Sequence, residues 1–134
     1  MNDKTKKYTI LIVEDDLPAL SALVEKFSHE GFSVLEAKNG EEGLESALKN
    51  HPDMILLDIV MPRMDGMTML KKLREDGEWS KHVPVIILTN LTSADEGRTR
   101  DITELEPAYY LVKSDWKIED VVAKVRERLE TPHS

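Results

Sequence analysis

Five short apolar runs alternate with stretches of helical periodicity along this chain, and that alternation constrains the fold more than any single residue does. The runs are Thr9–Val13, Ser33–Ala37, Met54–Ile59, Val83–Leu88 and Ala108–Val112. Three of them are almost continuously apolar, as parallel strands covered on both faces must be. Between them, Leu20, Leu23, Val24 and Phe27 recur at helical spacing and lead to Gly31, a residue suited to the left-handed position after a helix. Asn39 can cap a second helix carrying Leu44, Ala47 and Leu48, which must stop before Pro52. Met67, Leu70 and Leu73 mark a third, ending near Gly77; Ala94 to Leu105 gives a more polar fourth; Ile118, Val121, Val122, Val125 and Leu129 give a fifth. Strict β-α order predicts a parallel sheet with helices on both faces and right-handed crossovers.

A length of 134 residues suits one core of this kind. A single domain over 1–134 is expected, with its core from about residue 8 to residue 130 and no output domain. The 26 acidic against 18 basic residues, a net charge of −8, argue against direct nucleic-acid binding. The absence of cysteine excludes disulfides, thiol catalysis and thiolate metal sites. No apolar run approaches the roughly 20 residues of a membrane helix, and Ile10–Val13 is too short for a signal-peptide core. A cytoplasmic protein without membrane insertion is expected.

The residues that end the apolar runs carry the chemistry. Ile10-Leu11-Ile12-Val13 runs into Glu14-Asp15-Asp16, and Met54-Ile55-Leu56-Leu57 into Asp58. Val85-Ile86-Ile87-Leu88 runs into Thr89, and Tyr110-Leu111-Val112 into Lys113. Parallel strands bring these ends to one edge, where open α/β sheets bind ligands. Carboxylates about 5 Å apart repel by roughly 3 kcal/mol per pair at an effective dielectric near 20. Such a cluster must protonate, spread or hold a cation, and oxygen donors without thiolates or paired imidazoles suit Mg²⁺ or Mn²⁺. An ion there would accept phosphate oxygens, with Lys113 adding charge and Thr89 a hydroxyl donor. Asp58 would then be a nucleophile forming an aspartyl phosphate.

In these residues the chain resembles the receiver domain of two-component response regulators, of the stand-alone chemotaxis-regulator-like type. The matching stretches are Val13-Glu14-Asp15-Asp16, His51 through Asp58, Met61-Pro62-Arg63-Met64-Asp65-Gly66, Thr89 and Tyr110-Leu111-Val112-Lys113. The resemblance implies a flavodoxin-like (βα)5 three-layer sandwich with a parallel five-stranded sheet of order 2-1-3-4-5. It implies that Asp58 accepts phosphate from a histidine kinase or phosphotransfer protein, and that Lys113 contacts the phosphoryl group. Glu14, Asp15, Asp58 and the Val60 backbone carbonyl would serve the metal, Glu14 mainly through water. Thr89 and Tyr110 would form the switch, acting on the face built by stretch 94–105, the fifth strand and the last helix. That face would bind an unknown downstream protein or a second copy as a homodimer. No enzymatic turnover is implied beyond self-catalysed phosphotransfer and slow autodephosphorylation.

Ser114 stands where this family usually has proline after the lysine, leaving the Lys113–Ser114 bond open to either isomer. Val60 and Leu91 occupy the positions that tune phosphate loss, and neither side chain can orient a water, so a long-lived phosphate is expected. Asn90 is bulky for its position and would narrow access for small donors. Other residues read as structural: Asp16 as a helix cap, Asp65-Gly66 as a turn and helix start, Met61, Met64, Met67 and Met69 as packing. Tyr109 reads as packing or surface, Trp79 and Trp116 as partly buried, and His29, His51, His82 and His133 as surface or turn residues. Three rival readings are an aspartyl phosphatase, a flavin carrier and a phosphate-independent docking module. The first lacks a second acid at Val60, and Glu14-Asp15-Asp16 would repel the phosphate of a flavin.

Overall fold

The computed structural model describes residues 7–61, 63–90 and 105–130. Strands β1 (Thr9–Val13), β2 (Ser33–Ala37), β3 (Met54–Leu57), β4 (Val85–Thr89) and β5 (Tyr109–Val112) form one sheet of order β2-β1-β3-β4-β5. Every pairing is parallel. Helices α1 (Leu17–His29), α2 (Gly40–Asn50), α3 (Gly66–Arg74), α4 (Glu78–His82) and α5 (Ile118–Glu130) accompany it. This is the flavodoxin-like architecture the sequence implies, with ligands expected at the C-terminal strand edge beside β1 and β3, where the strand order reverses.

The two-residue period of the strands divides the core into two layers. Leu11, Val13, Ile55, Leu57, Val85 and Ile87 point to one side and pack with Ala47 of α2 and Met69, Leu70 and Leu73 of α3. Ile10, Ile12, Met54, Leu56, Ile86, Leu88 and Leu111 point to the other, against Leu20, Leu23 and Phe27 of α1 and Val121, Val122 and Val125 of α5. On β5, Tyr110 joins the first layer and Tyr109 the second. Phe27 and Phe32 meet edge to face at 5.2 Å, an arrangement the ring quadrupoles favour.

Helix ends follow the sequence signals. Asp16 caps α1 by accepting from the Ala19 amide, and Asn39 caps α2 by accepting from that of Glu42. Gly31 lies at φ +97° just beyond α1, where a β-carbon is disfavoured. The C-cap of α2 is His51, itself left-handed, its ring stacked on Trp79 at 4.0 Å.

Some boundaries differ from expectation. β3 ends at Leu57 rather than Ile59, because the Ile59 carbonyl accepts from the Gly66 amide instead of a neighbouring strand. β4 begins at Val85 rather than Val83, since the Val83 amide closes the turn of α4 onto Trp79 and Pro84 has no amide hydrogen to give. β5 begins at Tyr109, one residue later than read. The helix α4 was not anticipated; its five residues are too few to display a stripe. The helix read over 94–105 lies outside the described residues apart from Leu105, and so do Leu91 and His133.

Candidate functional site

Register brings the strand ends together. Val13 pairs with Leu57, and the Asp58 amide donates to the Val13 carbonyl at 3.0 Å, so Glu14 and Asp58 leave adjacent strands side by side. Thr89 pairs with Val112, which sets Lys113 one residue past the hydroxyl. Glu14, Asp15, Asp16, Ala19, Asp58, Val60, Thr89, Asn90 and Lys113 line a cleft of about 570 Å³. Every side chain read as chemical from the strand ends is therefore in one place. Tyr110 is the exception among the residues singled out: it is absent from the cleft wall and packs on the α2–α3 side of the sheet.

One carboxylate oxygen from each of Glu14, Asp15 and Asp58 lies within 4.8 Å of the others. Glu14 and Asp58 are buried, and Asp15 is partly so. The Lys113 ammonium donates to Glu14 Oε1 at 2.5 Å and to Asp58 Oδ2 at 3.3 Å. Burial pushes the Glu14 carboxyl above its ordinary range, outweighing the hydrogen bond from Lys113. Burial alone would lower the Lys113 ammonium, but its hydrogen bond to Glu14 and the charges of Asp58 and Glu14 hold it above its usual value. Lysine is thus fully charged at neutral pH and bound more closely to Glu14 than to Asp58.

Asp58 Oδ1 is buried without a hydrogen-bond partner. A buried carboxylate oxygen left unpaired is costly, and its residue lines the cleft together with two further carboxylates. An all-oxygen donor set with one oxygen awaiting a partner fits a hard divalent cation. The local backbone supports this arrangement tightly. A β-carbon on Gly66 would fall 2.1 Å from the Asp58 carbonyl oxygen, so α3 starts directly on the Asp58–Ile59 peptide only because residue 66 has no side chain. Asp65 caps that helix through the Thr68 amide.

The family model of the response regulator receiver domain matches residues 10–126. The chain belongs to the response regulator receiver family. Receiver domains accept phosphoryl groups and bind Mg²⁺ in an acidic pocket, and this receiver has such a cluster in Glu14, Asp15 and Asp58. It is 34% identical over 119 residues to a protein-glutamate methylesterase/protein-glutamine glutaminase of Archaeoglobus fulgidus, covering 88% of this chain and 33% of that one. It spans half or less of the mycobacterial response regulators MprA that it also matches. Among solved structures, a CheY-like receiver domain protein of Methanospirillum hungatei superposes with a TM-score of 0.84 at 25% identity, covering 93% of this chain and 95% of that one. A chain of the CheX–CheY–BeF3–Mg²⁺ complex of Borrelia burgdorferi does so with a TM-score of 0.78 at 28% identity, covering 90% and 88%.

The remaining sequence readings can be placed on the receiver. Tyr109 hydrogen-bonds Glu127 at 2.6 Å, with the Lys124 ammonium 4.8 Å from its ring. Trp79 and Trp116 are partly buried, and His29, His51 and His82 are exposed. No cis peptide bond occurs among the described residues, so Lys113–Ser114 is trans and leads into a single 3₁₀ turn, Lys113–Asp115. Among the described residues no helix is long and apolar enough to cross a membrane. Sequence reasoning missed Ala19 in the cleft wall, since alanine on a helix carries no chemical signal. It also missed exposed Leu17, which follows Asp16 at the head of α1.

Proposed function

We propose that this receiver is phosphorylated on Asp58 and acts as a switch rather than as a turnover enzyme. The observation that carries the reading is the buried, unpartnered Asp58 Oδ1, on a carboxylate whose Oδ2 accepts from the Lys113 ammonium and which clusters with Glu14 and Asp15. An Asp58 carboxylate oxygen attacks the phosphorus of a phosphohistidine on a histidine kinase or phosphotransfer protein. The P–N bond breaks, its electron pair stays on the imidazole, and an acyl phosphate forms. Lys113 exchanges part of its contact with Glu14 for a phosphoryl oxygen. The Thr89 hydroxyl donates to another oxygen, and Tyr110 repacks behind it to change the face beside β5.

Glu14, Asp15, Asp58 and the Val60 carbonyl would hold Mg²⁺ or Mn²⁺, which when bound offsets charge on the transferring oxygens. Val60 is 53% exposed at the cleft wall; it has no group to activate water, which favours a long-lived phosphate. The output is protein binding in the cytoplasm, to a downstream target, a phosphorelay partner or a second copy through the β5–α5 side. Recognition of nucleic acid is not part of the reading.

Intact mass after incubation with acetyl phosphate or phosphoramidate and Mg²⁺ tests it. A gain of one phosphoryl group is expected, lost with EDTA and in Asp58→Asn. Failure of the wild-type protein to take up either a phosphoryl group or beryllofluoride would refute the reading and favour a phosphate-independent docking module.

A further inference from the structure

The last residue of α3, Arg74, is partly buried and spends its guanidinium on backbone carbonyls. Nη1 donates to Ser80 at 3.1 Å and to Val83 at 2.7 Å; Nε donates to Leu105 at 3.1 Å and Nη2 to Glu106 at 3.3 Å. Ser80 and Val83 belong to α4 and its C-terminal cap. Leu105 and Glu106 are the residues that bring the chain into β5, and Glu106 is held left-handed at φ +55°. Leu105 packs in the same core layer as Tyr110. The Ala108 amide then closes on the Val85 carbonyl at 2.7 Å to start the β4–β5 ladder.

The other end of α3 stands on the phosphoacceptor loop. The Gly66 amide donates to the Ile59 carbonyl at 2.9 Å, and a β-carbon there would strike the Asp58 carbonyl oxygen. Nine helical residues span about 13 Å, and Met69, Leu70 and Leu73 are fully buried along them. The short helix α3 is thus held by close backbone approach at one end and by a fork of charged donors at the other. A guanidinium suits this task because its donors are fixed in a plane, so a shift of the helix is felt at all four carbonyls together.

We infer that α3 and Arg74 form a strut that carries the state of Asp58 to the entry of β5, making Arg74 a positioning residue for the strand that bears Tyr110. The inference rests on the reading of Asp58 as phosphoacceptor. It assigns the coupling to an element with defined contacts at both ends, whose response to the state of Asp58 the experiment measures.

Backbone amide exchange of wild-type protein and Arg74→Met, each with and without beryllofluoride and Mg²⁺, tests it. In the wild type, exchange at Glu106 and Ala108 through Tyr110 changes by about fivefold or more on beryllofluoride uptake, the lower range of a coupled site. In Arg74→Met, uptake stays within about twofold of wild type while that exchange response falls below about twofold. A purely structural arginine would lower stability and leave the response in place. Arg74→Lys, which keeps the charge but has one ammonium for four separated carbonyls, replaces Arg74→Met if that variant does not fold. An undiminished response in the folded variant, or no response at these amides in wild type that has taken up beryllofluoride, overturns the strut. Absence of uptake in the wild type refutes the phosphoacceptor reading instead.

Discussion

Replacing Asp58 by asparagine keeps the shape of the side chain and removes one charge from a crowded cluster, so its effect on the metal-free protein can be worked out in advance. Asp58 lies within 4.8 Å of a carboxylate oxygen of both Glu14 and Asp15, and each repulsion at that distance costs about 3.5 kcal/mol at an effective dielectric near 20. Its attraction to Lys113 at 3.3 Å returns about 5 kcal/mol on the same scale. The balance favours removing the charge by about 2 kcal/mol, and the desolvation of a carboxylate only 7% exposed acts in the same direction. Asp58→Asn is therefore expected to be more stable than wild type in EDTA at neutral pH, melting about 6–10 °C higher for a chain of this size. Millimolar Mg²⁺ reverses the order or closes the gap, because binding stabilises the wild type and much less the variant. The pH dependence follows from Glu14. Its folded pKa is raised above 4.5 by burial first and by the Asp58 charge among the lesser causes, so the folded state binds more protons than the unfolded one. Its stabilising contribution is complete below 4.5 and is lost as pH rises through the folded value. Metal-free wild type thus gains stability on going from neutral pH toward 4.5, and Asp58→Asn gains less. Below that point the lowered carboxyls of Glu30, held by Arg126 and Lys26, and Glu127, held by Tyr109, turn the trend downward. Urea unfolding with an EDTA arm measures both effects. A variant no more stable than wild type without metal would refute the electrostatic reasoning.

Three further substitutions separate site from scaffold. Gly66→Ala places a methyl 2.1 Å from the Asp58 carbonyl oxygen; a loss of about 1–3 kcal/mol in urea unfolding is expected, with weaker beryllofluoride uptake because the loop bearing Asp58 must move. Phe27→Ala empties a wholly buried position and should cost about 3–5 kcal/mol, while beryllofluoride uptake by the folded fraction is unchanged. Asn39→Ala removes the acceptor of the Glu42 amide at 2.9 Å and should cost about 1 kcal/mol, again without effect on Mg²⁺ binding by fluorescence or calorimetry.

The sequence by itself determined the five parallel strands and the edge at which their polar ends meet. Apolar runs such as Ile10–Val13 and Val85–Leu88 have no polar face to show to water, so they had to lie between two helical layers. Once they are parallel, Glu14, Asp58, Thr89 and Lys113 can end only at one edge. Caps at Asp16, Asn39 and Asp65 were equally legible, because a cap bonds to an amide two or three residues away. What the tertiary structure decided are relations between residues remote along the chain. Lysine at 113 closes on Glu14 rather than equally on both acids, Asp58 keeps one oxygen unpaired, and Gly66 rests on the Asp58 peptide. Arg74 reads in sequence as a basic residue ending a helix, where its charge suits the dipole; its four carbonyl partners are backbone atoms and leave no side-chain signature. Local patterns fix what each segment is, whereas the geometry of a charged cluster depends on which ångström-scale approach the packed core allows.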